Sequence, residues 1–200
     1  MEVSVMVAQA GVPAAARLPD GAAPGPRHLA RSWLRRRDES RDIPAVARPA
    51  LVSGERWLTA EVDARGVPVV ATNRAVYHRD SGGGWLRLGW EQVGRVDWDE
   101  PRRTLLLTGL TPDVPRRTVL SVRRGSVLVA LARERVGWST LLAGPIRLDR
   151  VGVLLTVRRQ PGSDRLLWVV AFDDGVDRDD PATSLRLASA LARLRAETGI

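Results

Sequence analysis

The sequence predicts a mainly β, α+β fold: a seven-stranded antiparallel roll or sandwich capped by a helix, followed by a small three-stranded sheet with a C-terminal helix. Three observations predict it. Between Gly54 and Val122 apolar residues recur at a period of two in short runs bounded by Gly, Pro, Asp or Asn. After Ser126 the spacing changes to that of a helix. After Gly137 three longer apolar runs lead to an Asp180-Pro181 pair that opens a leucine stripe. With 44% hydrophobic residues, a chain of 200 can bury a core for one large domain or two small ones.

Residues 1–28 are rich in Ala, Pro and Gly and read as a flexible leader, because Leu18-Pro-Asp-Gly21 and Pro24-Gly-Pro26 break any period. Residues 29–53 read as a short helix and a linker: Leu29, Trp33 and Leu34 share one side of the helix, and Pro44 and Pro49 return the chain to an extended form. The β domain spans 54–136. Strands are expected near 55–62, 67–72, 74–79, 85–89, 94–98, 104–109 and 118–122, with turns at Asp63-Ala-Arg-Gly66, Asp80-Ser-Gly-Gly-Gly84 and Glu100-Pro-Arg-Arg103. Val96 and Trp98 alternate with Arg95 and Asp97, as in a half-buried antiparallel strand, and Gly94 marks a bulge that resets the register after Val93. The expected core is Val69, Val70, Trp90, Val96, Trp98, Leu105 and Leu107. It is capped by Leu128 and Leu131 of a helix over 126–136, with Ser126 as its N-cap.

Residues 137–200 form a second, small α+β subdomain. Strands 139–148, 152–159 and 166–172 are joined at Asp149-Arg150 and at Gln160-Pro-Gly-Ser-Asp164. A helix from Pro181 to Thr198 follows, with Asp180 as N-cap and Leu187, Leu191 and Leu194 in one stripe that packs on the sheet.

Gly54-Glu-Arg-Trp57, Val69-Val-Ala-Thr-Asn-Arg-Ala-Val-Tyr77, Trp85-Leu-Arg-Leu-Gly-Trp90 and Val96-Asp-Trp-Asp99 resemble bacterial pleckstrin-homology-like (PH-like) and GRAM-like domains, which share a Thr-Asn/Asp-Arg turn between strands. With Arg133-Glu-Arg-Val136 and Asp179-Asp-Pro181, the order is similar to that in a group of uncharacterised actinobacterial proteins, over residues 54–200. The resemblance implies a PH-like fold and brings no activity with it. Lipid-binding PH domains place several basic residues around the first hairpin, and here that hairpin offers only Arg65.

Composition excludes several classes of function. There is no cysteine, so no disulfide, thiolate metal site or cysteine nucleophile is available, and a reducing cytoplasm is the natural setting. No run reaches the about 18 apolar residues of a membrane span. His28 and His78 are too few and too far apart for a triad or a multi-histidine metal site. The acidic run from Asp173 to Asp180 lacks the order of an EF-hand loop, and Gly82-Gly-Gly84 is not followed by the Lys and Ser/Thr of a phosphate loop. Asp97 and Asp99 share a strand face, which is the solvent side. Most of the tryptophans sit at alternating strand positions and read as core rather than as stacking platforms, with Trp33, between Arg31 and Arg35, left for a partner.

All 31 basic residues are arginine and the net charge is +8, yet residues 101–160 alone hold twelve arginines against Asp113, Glu134 and Asp149. A strand of about six residues at about 3.3 Å each separates Arg102 and Arg103 from Arg116 and Arg117 by about 20 Å. An antiparallel return brings Arg123 and Arg124 back, so the expected anion or partner site is Arg102, Arg103, Arg123 and Arg124. The sequence thus predicts a cytoplasmic, non-enzymatic binding or scaffold module with a protein or peptide partner, no cofactor and no small-molecule substrate. The alternative is nucleic-acid or other polyanion binding through that arginine-rich surface.

Overall fold

The computed structural model describes residues 3–9, 48–62, 66–123, 126–148, 151–172, 177 and 179–199. The chain is mainly β, with eleven strands and two α-helices among these residues. Strand β1 (Val3–Gln9) belongs to a sheet built mostly from the C-terminal part of the chain. The first sheet is an antiparallel meander of β2 (Trp57–Val62), β3 (Pro68–Thr72), β4 (Ala75–Arg79) and β5 (Trp85–Gly89). A 3-10 turn, Trp90–Gln92, leads to a second meander of β6 (Val93–Asp99), β7 (Thr104–Gly109) and β8 (Arg117–Ser121). Helix α1 (Leu128–Ser139) follows.

These strands fall within about two residues of their expected positions, because the period-two runs end at residues that can turn. Asp80 illustrates the point: its carboxylate accepts from Gly84 N at 2.7 Å, its backbone N–H donates to Gly84 O at 2.9 Å, and Gly83 supplies the left-handed φ of 80°. The pairing of β6 with β7 slips between Val93 and Arg95, which is the expected bulge at Gly94. Helix α1 begins at Leu128 rather than 126 and ends at Ser139 rather than 136. The N-cap is accordingly Val127 rather than the expected Ser126, whose Oγ still accepts from Leu128 N at 3.0 Å and donates to Glu61 Oε1 at 2.5 Å.

The two sheets and α1 enclose one core of Val69, Ala71, Val76, Leu88, Trp90, Val93, Leu105, Leu107, Leu120, Val122, Leu128, Leu131, Ala132 and Val136. Two expectations need correction. Val70 points away from this core, since neighbouring strand residues face opposite sides, and it joins Ala60, Ala75 and Tyr77 in a separate cluster on the outer face of the first sheet. Val96 and Trp98 are only partly buried against the core, and the Trp98 indole N–H reaches out to Glu100 Oε2 at 2.5 Å. Trp90 is fully buried, with Nε1 donating to Thr72 O at 3.0 Å.

The outer face is covered by residues 48–56, hereafter the strap, which the sequence pattern divides between a linker and the first strand. Pro49 is buried, Leu51 packs on the outer cluster with Trp57 and Trp85, and Val52 N donates to Tyr77 Oη at 3.4 Å.

The third sheet has the order β1-β11-β10-β9, with β9 (Thr140–Leu148), β10 (Val151–Arg159) and β11 (Leu166–Phe172) antiparallel. The sequence predicts three strands here. The fourth is β1, which pairs parallel to β11 from Val3↔Leu166 to Gln9↔Phe172 and corrects the assignment of all of residues 1–28 to a flexible leader. The alternation of Val3, Val5 and Val7 carries that signal, and it is outweighed by the Pro- and Gly-rich residues behind it. The helix expected at 29–37 lies outside the described residues. Helix α2 (Pro181–Thr198) packs Leu187 and Leu191 on one face of the sheet against Leu155, Trp168 and Val170, and Arg195 stacks 4.7 Å from the Trp168 ring. Asp180 caps it, accepting from Thr183 N at 2.9 Å and Ala182 N at 3.3 Å.

The other face of β10 meets the first unit, that is the first two sheets and α1 around their shared core, through Arg158, which is 3% exposed. Its Nη1 donates to Val136 O at 2.7 Å, to Ser139 Oγ at 3.2 Å and to Thr140 Oγ1, while Nη2 donates to Val93 O at 2.9 Å and Gly94 O at 3.4 Å. Burial pushes the pKa of this guanidinium down to about 10, so it stays charged at neutral pH.

Two outcomes follow in urea unfolding. Trp90→Ala is expected to cost about 3–5 kcal/mol, as for a large buried aromatic, and Trp98→Ala distinctly less; equal losses would contradict the burial described. Arg158→Leu is expected to cost at least about 1–3 kcal/mol, the penalty of stranding even one buried acceptor, although it removes a buried charge.

Candidate functional site

Exposed arginines meet at one end of β7 and β8. The register Thr104↔Ser121 sets the residues that flank these strands opposite one another, and Val122 N donates to Arg103 O at 3.0 Å. Arg102, Arg103 and Arg123 therefore share this end and are exposed, while Arg117 pairs with Thr108 toward the other end, near Arg116. Arg124 and Trp33, also expected in the site, lie outside the described residues. Arg103 adopts φ 50°, the left-handed residue that closes the turn from Glu100.

Part of this positive charge is already compensated. Asp99 accepts from Arg102 N at 3.0 Å and from Arg102 Nη1 at 2.8 Å, and these bonds hold its carboxyl below the usual range. The Arg102 side chain is nevertheless 82% exposed and its ion pair is open to water, where such pairs are weak. Asp97 is held by Arg95 at 2.8 Å, so the two carboxylates of this strand serve two different arginines rather than each other. His78 lies on β4 with Nδ1 3.2 Å from Arg79 O, and burial lowers its pKa.

A second surface feature escapes the sequence pattern. Trp138, in the last turn of α1, is 66% exposed, with the Arg135 guanidinium 5.3 Å from its ring centroid. Arg133 and Gly137 beside it are exposed, and open space surrounds Gly137. The buried stripe of α1 runs through Leu128, Leu131, Ala132, Val136 and Ser139, which leaves position 138 outside it. Ending the helix at 136 hides this, because only the added turn gives Trp138 a helical direction.

The third constellation is buried. Glu55, whose side chain is wholly inaccessible, accepts from Arg87 Nε at 2.8 Å and Nη2 at 2.7 Å, from Tyr77 Oη at 2.7 Å and from Thr72 Oγ1 at 3.2 Å. Burial and the Glu55 hydrogen bond raise the Tyr77 pKa. The Thr72-Asn73-Arg74 turn, one of the segments that carry the resemblance to PH-like domains, is the hub around it. Thr72 Oγ1 accepts from Arg74 N and Ala75 N, Asn73 Oδ1 from Arg56 N at 2.6 Å, and Arg74 O from Trp90 N at 3.1 Å. Arg74 itself donates to Ser53 O at 3.0 Å and lies against Gly54 and Gly162, where any Cβ would collide with its guanidinium. Both glycines have φ near 80°, so the contact needs glycine on two counts. This turn is therefore a structural junction between the strap, the 3-10 turn and the β10–β11 hairpin.

Glu55→Gln is expected to destabilise the fold toward the lower end of the about 3–5 kcal/mol typical of breaking a buried pair, since Arg87 retains some access to water. Denaturant unfolding at neutral pH checks this, and an unchanged midpoint would contradict it. Among the described residues no helix is long and apolar enough to cross a membrane, and no group of three or more His, Asp or Glu is set to hold a metal ion. Comparison with protein-family models, curated proteins and solved structures finds no match to this chain.

Proposed function

We propose that this chain is a non-enzymatic PH-like binding or scaffold module of the cytoplasm whose partner is a protein or peptide. The four-stranded and three-stranded meanders around one core, followed by α1, support the PH-like reading. The observation that carries the binding role is Trp138: a tryptophan ring left in water beside an arginine pairs two of the residue types most enriched where partners anchor. That step from surface to partner rests on the site and not on the fold.

A second reading, polyanion or nucleic-acid binding, is favoured by Arg102, Arg103 and Arg123 at one end of β7 and β8. The two readings differ in salt dependence. Three phosphate contacts give a log–log slope of about −2.7 on duplex DNA, whereas a tryptophan anchor is little affected by salt.

With the full chain immobilised and native extract passed over it, Trp138→Ala is expected to lower retention of the captured partner about tenfold or more, with an unchanged unfolding midpoint. Equal retention by wild type and variant would sink the first reading. Gel-shift titration with duplex DNA tests the second, and absence of binding at low salt removes it.

A further inference from the structure

One carboxylate, that of Glu55, holds the strap across the outer face of the first sheet, and a second, that of Glu91, is buried with one oxygen unpaired. Glu91, in the 3-10 turn, is 6% exposed, and its Oε2 is buried with no hydrogen-bond partner among the described residues. The carboxylate lies flat on Gly89, where an added Cβ would sit 2.6–2.7 Å from its atoms. Gly89 and Arg87 are two apart on β5 and share a face, which is the face carrying Tyr77 opposite Arg87. Glu91 is thereby brought within electrostatic reach of the guanidinium that binds Glu55. The hydrogen bonds of Arg87 go to Glu55 alone, while its charge also acts on Glu91.

The titratable and charged groups facing Glu91 are Glu55 from the strap, Arg87 from β5 and, beyond Glu55, Tyr77 from β4. Arg74, from the β3–β4 turn, is directed to Ser53 O, and α1 contributes the uncharged Ser139, which donates to Trp90 O at 3.4 Å.

We propose that Glu55, Arg87 and Glu91 form a pH-sensitive latch: with Glu91 protonated, Arg87 belongs to Glu55 and the strap stays down; with Glu91 ionised, the two carboxylates compete for Arg87 and the strap lifts from the sheet. Lifting uncovers the apolar cluster of Ala60, Val70, Ala75 and Tyr77, together with Trp57 and Trp85. The direction follows from linkage. Burial, the largest effect, and the Glu55 charge hold the Glu91 carboxyl above the usual carboxylate range, against the lowering effects of its own backbone N–H and of Arg87. The stability associated with a raised acid is present while it is protonated and is lost as pH rises through its folded-state pKa.

Hydrogen exchange of the full chain tests the latch at the amides of Val52, Glu55 and Arg56, which donate to Tyr77 Oη, Val52 O and Asn73 Oδ1. Against Glu91→Gln at the same pH, the wild-type amides are expected to be equally protected at the acid end of the range in which the protein stays folded and about tenfold or more less protected at its alkaline end. Equal protection at both pH values, or the same loss in both proteins, overturns the proposal. Should Glu91→Gln fail to fold, the wild type alone decides. Its strap amides must lose protection relative to those of Leu105 and Leu107 in the core strand β7 as pH rises, and a constant ratio overturns the latch. Glu55→Gln, which removes the carboxylate on the strap, is expected to free the strap at every pH, and a strap still protected in that variant also overturns it.

Discussion

The two units of this protein are joined through a buried guanidinium compensated by neutral dipoles. Arg158 leaves β10 and finds Val136 O at the end of α1, the hydroxyls of Ser139 and Thr140, and the two carbonyls that the Gly94 bulge turns toward it. The arrangement is consistent with electrostatics: carbonyls at a helix C-terminus carry negative partial charge and favour a cation. It also solves an accounting problem, because the last carbonyls of a helix and the unpaired ones of a bulge have no ladder partner and need donors if they are to be buried. A planar fork with several N–H groups meets both sets at once, which an ammonium could not do with the same geometry. The third sheet is thus set against the first unit at the place where the bulge of β6 and the end of α1 come together.

A second polar junction works elsewhere in that unit. The Thr72-Asn73-Arg74 turn binds the end of the strap through Asn73, the 3-10 turn through Arg74 O, and the β10–β11 hairpin by the approach of Gly162. Its chemistry is explained by structure alone: each polar group saturates a backbone group that a tight turn leaves open. The polar groups of this turn are thus engaged within the fold, whereas the Trp138 ring and Arg102, Arg103 and Arg123 at the end of β7 and β8 are exposed.

The strand positions were legible because alternation is a local property: each residue declares its face through its neighbours two positions away. The same holds for α2, where Asp180, Pro181 and the Leu187–Leu191 spacing fix start, direction and buried face. Faces were harder. Val69 and Val70 look equivalent in composition, and only the closure of two sheets on one side of β3 separates the inter-sheet core from the outer cluster. That Arg102, Arg103 and Arg123 share one end of β7 and β8 was legible from strand length and antiparallel return, whereas Asp99 as the partner of Arg102 depended on how the turn folds back. Trp138 was missed because the last turn of α1 lies beyond the Arg133-Glu134-Arg135 segment that marks the helix in sequence.

The sequence by itself determined the number and order of the strands from Trp57 to Ser121, the two helices, the turn chemistry and the surplus of arginine in the middle of the chain, since all of these depend on periodicity and on residues a few positions apart. Only the tertiary structure decided that Val3–Gln9 joins β11 from the opposite end of the chain, that residues 48–56 lie on a sheet rather than in water, and that Arg87 of β5 pairs with Glu55 of the strap. It alone decided that Arg158, one of 31 basic residues, is the arginine buried among the described residues. The physical reason is the same in each case. Burial and pairing of charge are properties of surfaces brought together from distant parts of the chain, and no local pattern carries the identity of a partner so far away.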